Sequence, residues 1–302
     1  PLEPGLTSEP LEPAPAFKPQ EPAAHSKPET TPKLQQNAAR NVQASFKVPS
    51  LKFGRDLVEG KMIGEGLQAT VSMATMVCTG RKCIIKQYKD SSLCVWKEIQ
   101  AMTRIHGSPG FPKMLGTINN AIVMEFVGDI TGQESNTIQE LLGTDNSTST
   151  LTHNDWINMA LGICKGLQDL HEVGIVHCDL KPDNVIVHKE DAPNAQWESK
   201  IIDLGMSRPV RANPPPLVLN KEDQEKLQTH SFHIAPEIIS CQSGHSVKTD
   251  TYSLGESLAF IGDVVGIPAL ENWGKMCKDD DPSARPTLAW LINMLKQITQ
   301  NG

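Results

Sequence analysis

The run His177-Cys178-Asp179-Leu180-Lys181-Pro182-Asp183-Asn184 places a carboxylate, a lysine two residues on and an asparagine five residues on in a loop stiffened by proline. At that spacing these side chains can supply a general base, a counter-charge for an anionic group and an oxygen ligand for a hard cation. A second carboxylate stands in Ile201-Ile202-Asp203-Leu204-Gly205, where an apolar run ends and glycine releases the backbone. Asp203 with Asn184 would make a Mg²⁺ site, because Mg²⁺ takes few protein oxygens and keeps positions for phosphates. Lys86 closes the apolar run Cys83-Ile84-Ile85. A lysine inside such a strand must reach water or find an anion, and Glu98 in the helical pattern that follows could be that anion. Read alone, a solvated edge lysine fits equally. Gly64-Glu65-Gly66-Leu67-Gln68-Ala69-Thr70-Val71 offers backbone amides that phosphate oxygens can approach closely. Read alone, the stretch is better taken as a glycine-containing hairpin turn.

These residues need elements to position them. Alternating and continuous apolar runs at Leu57 to Ile63, Ala69 to Val77 and Lys82 to Tyr88 predict an antiparallel three-stranded start. Apolar residues at Leu93, Trp96, Ile99, Met102 and Ile105 recur with a helical period over Ser92 to His106, with Ser91 and Ser92 as candidate caps. Two more strands are expected near Met114 to Ile118 and Ala121 to Val127. Past a Gly/Asn/Ser/Thr-rich connector from Gly143 to Asn154, residues Trp156, Met159, Ile163, Leu167 and Leu170 mark one face of a long helix ending at Gly174. The second half reads as mainly helical, so a strand-rich lobe precedes a helical one.

Composition narrows the function classes. The chain has 302 residues, 38% apolar, 21% charged and 5% aromatic, which allows one or two folding units and implies that part of it does not pack. The formal net charge of −7 argues against nucleic acid as a bulk electrostatic partner. No stretch approaches the ~20 apolar residues a bilayer span needs, and no charged-then-apolar signal region opens the chain, so no membrane partner is expected. Seven scattered cysteines without a Cys-x-x-Cys spacing fit reduced thiols. A cytoplasmic location is therefore expected, with the nucleus as the alternative; the chain opens on Pro1 rather than Met. Ten of the 22 prolines fall in residues 1–50, where Lys/Arg and Asp/Glu are balanced at five each. Such a segment buries too little apolar surface to offset its ordering entropy. It reads as a disordered, solvated linker whose PxxP spacing could alternatively feed an SH3-type groove.

Taken together and in order, the motifs resemble the protein kinase family from about Leu57 to Leu295. The resemblance implies an α+β, two-lobed fold: a small antiparallel β-rich N-lobe at about 57–127 and a mainly helical C-lobe at about 128–299. It implies ATP and Mg²⁺ as cofactors and a Ser or Thr hydroxyl of a protein as substrate. Gly64 and Gly66 correspond to the phosphate-covering loop, with Ile63 and Val71 beside it. Lys86 matches the lysine that contacts the α- and β-phosphates, and Glu98 its helix partner. Asp179 matches the catalytic aspartate, Lys181 the lysine typical of Ser/Thr rather than Tyr kinases, and Asn184 and Asp203 the metal ligands. Met124 falls at the gatekeeper position, Glu125 to Val127 form the hinge that reads adenine, and Ile186 completes the nucleotide contacts. Ala235-Pro236-Glu237 resembles the end of the activation segment, where Glu237 would pair with Arg285, and Asp250 opens the buried helix that anchors the catalytic loop.

Some positions depart from the family pattern. Cys178 replaces the arginine that normally meets a phosphorylated activation segment, so phosphorylation through that contact is not expected. Leu204 replaces phenylalanine after the metal-binding aspartate and would stack with His177, Met102 and Leu115. Ile84 stands where the family usually has alanine above the adenine ring, and Ala69 where it has the third loop glycine. Thr229-His230-Ser231-Phe232-His233 is off the usual Gly-Thr pattern by one place. Only 29 residues separate Gly255 from Arg285, which implies that the G helix is shortened or lost. The expected function is a Ser/Thr protein kinase. The alternative is a pseudokinase scaffold acting through protein interactions, with Ile84 and the short C-lobe as its support. A small-molecule kinase shares the Asp-then-Asn loop but would not usually carry Lys181 with the Ala-Pro-Glu and Asp250 motifs.

Overall fold

The computed structural model describes residues 47–66, 68–89, 93–128, 135–143, 151–189 and 195–301, all within the unit Ser45–Gly302. Most of the Pro-rich segment and the candidate caps Ser91 and Ser92 lie outside the described residues.

The alternating runs form β1 (Leu57–Glu65), β2 (Ala69–Met76), β3 (Lys82–Tyr88), β4 (Met114–Ile118) and β5 (Ala121–Glu125). They make one antiparallel sheet in the order β1-β2-β3-β5-β4. Successive side chains point to opposite faces, so β3 divides its residues between two environments. Cys83 and Ile85 join Leu57, Ala74, Ile118, Ala121 and Val123 in a core on the outer face. Residues 49–51 run along β4 there: Thr117 N donates to Pro49 O and Leu51 N to Thr117 O, both at 2.8 Å. Ile84 and Lys86 face the other way, into a cavity. Helix α1 (Leu93–Arg104) brings Glu98 and Met102 to the same cavity.

The stack expected around Leu204 needs one correction. The register of β4 against β5 breaks between Met114 and Gly116, and this irregularity leaves Leu115 on the outer face, against the Leu57 core. Its neighbour Met114 points inward and shares the main core with Met102 and Leu204.

The second lobe is built on α3 (His153–Glu172), whose N-terminus carries a reciprocal capping box between Thr152 and Asp155. The predicted stripe of Trp156, Met159, Ile163, Leu167 and Leu170 is fully buried. Around it lie α2 (Ile138–Gly143), α4 (Lys221–His230), α5 (Pro236–Ile239), α6 (Val247–Val265), α7 (Pro268–Cys277) and α8 (Leu288–Asn301). Short strands frame the loop after α3. β6 (Asn136–Thr137), β8 (Val185–Lys189) and β9 (Trp197–Ile201) form one sheet, while β7 (Ile175–Val176) pairs with β10 (Arg208–Pro209). A single ten-residue helix, α7, occupies the interval between α6 and Arg285, in keeping with the shortness of that stretch. The result is a small β-rich lobe over a mainly helical one.

Candidate active site

Lys86 is the electrostatic centre of the site. Its Nζ lies 2.8 Å from Glu98 Oε2 and 2.8 Å from Asp203 Oδ1, joining the sheet, α1 and the turn after β9. Burial disfavours the Lys86 cation, but the two carboxylates outweigh it and hold its pKa above the ordinary lysine value. One cation shared by two carboxylates leaves the cluster short of positive charge. Asp203, the more exposed of the two, resists burial through Lys86 and the Gly205 N–H and is held below the usual carboxylate range. Glu98 is fully enclosed, and burial, with Asp203 nearby, pushes it up despite Lys86. Asp203 adopts a left-handed backbone, φ +64°, which aims its carboxylate at Lys86.

Asp179, Lys181 and Asn184 converge from the loop after β7. Asn184 Nδ2 donates to Asp179 O at 2.7 Å and to Asp179 Oδ2 at 3.1 Å, and Lys181 Nζ lies 3.2 Å from the same Oδ2. Burial pushes Asp179 up, yet His233, then Lys181, offset it and keep the carboxyl below its usual range. With its amide nitrogen committed to Asp179, Asn184 keeps its carbonyl oxygen for a cation. Asp203 keeps Oδ2, since Lys86 and Gly205 both bond Oδ1. Two neutral-or-anionic oxygens suit Mg²⁺, which is held by one or two protein ligands plus phosphates. Among the described residues no cluster of three or more His, Cys, Asp or Glu forms a closed cage.

Between the lobes lies a partly open cleft with a cavity volume of about 190 Å³. Ile63, Val71, Ile84 and Lys86 line one side and Ile186 another, with Met124, Glu125 and Val127 along the segment that joins the lobes. Gly64 and Gly66 are not part of this lining. Gly66 instead borders a second open cleft together with Lys181, Asn184 and His233. A Cβ at Gly64 or Gly66 would meet nothing nearer than 3.7 Å, so the protein itself does not require glycine there. Ile84 packs beside Met124 across β3 and β5 and narrows the cleft where the resemblance expects alanine.

The loop is held from beneath by Asp250, which is buried at the start of α6. Its carboxylate accepts from His177 N (2.7 Å), Cys178 N (2.9 Å) and His171 Nε2 (2.8 Å). These bonds fix Cys178 at φ +73°, a conformation costly for any residue with a Cβ. Burial pushes the Cys178 thiol well up, so it is an inert packing group. The segment from Leu204 to Glu237 is clamped at its far end by Arg285, whose Nη1 and Nη2 grip Glu237 at 2.7 and 2.8 Å. Midway, Gly244 lies against the Pro214-Pro215 backbone, where a Cβ would stand 2.2 Å from Pro215 O.

Two contacts were not legible in the spacing. Lys200 on β9 reaches Glu125 at 2.8 Å and ties the joining segment to the second lobe. His233 Nε2 lies 3.0 Å from Asp179 Oδ1. The first has no sequence signal, and the second follows only once the run before Ala235 is placed in space.

A buried lysine–carboxylate cluster, a loop carboxylate with its asparagine, and an interlobe cleft define a phosphotransferase type of site. The protein kinase domain family matches residues 57–263, and the chain belongs to that family. It is 30% identical over 204 residues to the probable serine/threonine-protein kinase pXi of Dictyostelium discoideum, covering 65% of this chain and 26% of that one. It is 26% identical over 215 residues to the serine/threonine-protein kinase ppk21 of Schizosaccharomyces pombe, covering 67% and 36%. To the serine/threonine-protein kinase ksg1 of the same yeast it is 25% identical over 216 residues, covering 66% and 34%. The matched region thus spans about a quarter to a third of these relatives.

Proposed function

We propose that this chain is an active Ser/Thr protein kinase that transfers the γ-phosphoryl group of Mg-ATP to a protein hydroxyl. The observation that carries the reading is the Lys86 cluster, assembled at 2.8 Å to both Glu98 and Asp203. Phosphoryl transfer asks the protein chiefly for positioning and charge stabilisation. Lys86 would hold the α- and β-phosphates, Asn184 and Asp203 the metal, and Lys181 would offset charge on the transferring group. Asp179, kept ionised, would orient the acceptor hydroxyl and take its proton. Bound Mg²⁺ would neutralise charge on the phosphates. Gly64 and Gly66 would cover them, while Ile63, Val71, Met124, Glu125, Val127 and Ile186 would enclose the base.

The test is transfer of ³²P from γ-labelled ATP with Mg²⁺ to a mixed protein substrate, wild type against Asp179→Asn, with phosphoamino acids resolved. Label on Ser or Thr that vanishes in the variant supports the reading. Folded protein without variant-sensitive label refutes it. That outcome would favour the pseudokinase scaffold, which Ile84 in the cleft supports. Because Cys178 replaces the phosphate-reading arginine, phosphatase treatment is expected to leave activity unchanged.

A further inference from the structure

His233 stands at the far end of the segment that begins at Leu204, 54 residues from Asp179, yet its ring meets the carboxylate directly. The ring is largely enclosed, with 12% of the side chain exposed. Its backbone is pinned from α6: Ser253 Oγ donates to His233 O at 2.7 Å, and Ser253 is itself buried. A turn encloses it, with Ile234 N donating to Ser231 O at 2.9 Å. The ring is thus fixed from outside the catalytic loop.

The carboxylate's bonds divide by oxygen. Oδ2 takes Asn184 and Lys181, and Oδ1 takes His233. An ionised carboxylate only accepts, so Nε2 must carry the proton in this bond. Each carboxylate oxygen has about two acceptor sites, which leaves Oδ1 one site for an incoming hydroxyl. The same ring borders the open cleft that reaches Lys181, Asn184 and Gly66, from which an acceptor would approach.

We propose that His233 is a positioning residue for phosphoryl transfer. It donates to Asp179 Oδ1 and so fixes the rotation of the carboxylate that receives the acceptor hydroxyl. Without that donor only Oδ2 is held, and Asp179 turns about its Cβ–Cγ bond. This inference rests on the kinase reading above.

The test compares His233→Phe, which keeps a ring but has no donor, with His233→Gln, whose amide can donate. The Phe variant is expected to lose about 10- to 100-fold in kcat, the order of a charge-assisted hydrogen bond. Its KM for ATP should stay within about twofold, because the nucleotide cleft is not lined by His233. His233→Gln should recover kcat to within about threefold of wild type. Unchanged or raised kcat in the Phe variant, alongside normal Asp179-dependent wild-type transfer, overturns this inference alone. So does an equal loss in both variants accompanied by lower thermal stability, which marks a packing role. Wild-type protein without Asp179-dependent transfer overturns the kinase reading and this inference with it.

Discussion

Asp250→Asn should loosen the catalytic loop more than its small change in shape suggests. The wild-type carboxylate accepts three hydrogen bonds, from His177 N, Cys178 N and His171 Nε2. An amide offers one oxygen and turns its NH₂ toward the N–H of His177 or Cys178, which can only donate. Each bond to a charged acceptor contributes about 1.5–3 kcal/mol, and disrupting a buried charged network typically costs about 3–5 kcal/mol. Against a domain stability of about 5–15 kcal/mol, that is a large fraction. At about 2–4 °C per kcal/mol for a domain of this size, Tm should fall by roughly 6–20 °C. The left-handed Cys178 also loses at least one of the two backbone bonds that hold it, so Asp179 shifts and transfer should drop about tenfold even where the variant is folded. The assay pairs thermal unfolding followed by circular dichroism with ATP-dependent transfer at 20 °C. A Tm within about 2 °C of wild type with transfer unchanged would refute the reasoning. The pH dependence supplies a second check. Burial pushes Asp250 up, but His171, His177 and the Cys178 N–H outweigh it and hold the carboxyl below its ordinary value. Its contribution to stability is therefore fully present above the unfolded-state value of about 3.9 and is lost as pH falls through the lower folded value. Wild type should lose stability more steeply than the variant below about pH 4.

Gly244→Ala puts a methyl group 2.2 Å from Pro215 O, and backbone cannot yield as a flexible side chain would. We expect a loss of about 1–3 kcal/mol in chemical denaturation and reduced transfer, with nucleotide affinity by calorimetry unchanged. Arg285→Lys keeps the charge but loses the two-pronged grip on Glu237 and the bond from Nε to Asp279 O. The cost should be about 3–5 kcal/mol, and a Tm shift under about 3 °C would refute the clamp. Ile84→Ala removes three carbons from the cleft wall and, if Ile84 packs the face of the base, should weaken nucleotide binding about 10-fold. Tighter binding in that variant would mean that Ile84 crowds the site and would favour the scaffold reading.

Much of the fold was legible because its signals are local. Periods of two and of 3.6 placed β1 to β5, α1 and α3 to within a few residues, since burying one face of an element imposes that pattern on it. Met114 and Leu115 mark the limit: both are apolar neighbours, and only the orientation of β4 decides which one faces the main core. The charged residues of the site were legible by type, because a lysine in an apolar strand and an Asp–Asn loop call for partners. Their meeting was not. Lys86 and Asp203 are 117 residues apart and touch only because β3 and the turn after β9 face each other across the cleft. His233 carries no local signal at all: its role depends on Ser253 pinning its backbone from α6. The left-handed turn at Cys178 has the same origin, since a conformation that the residue itself disfavours is supplied by Asp250, a carboxylate 72 residues further along the chain. Residue chemistry and element periodicity were fixed by the order of amino acids, whereas distance, orientation and strain came from contacts that only packing could bring together.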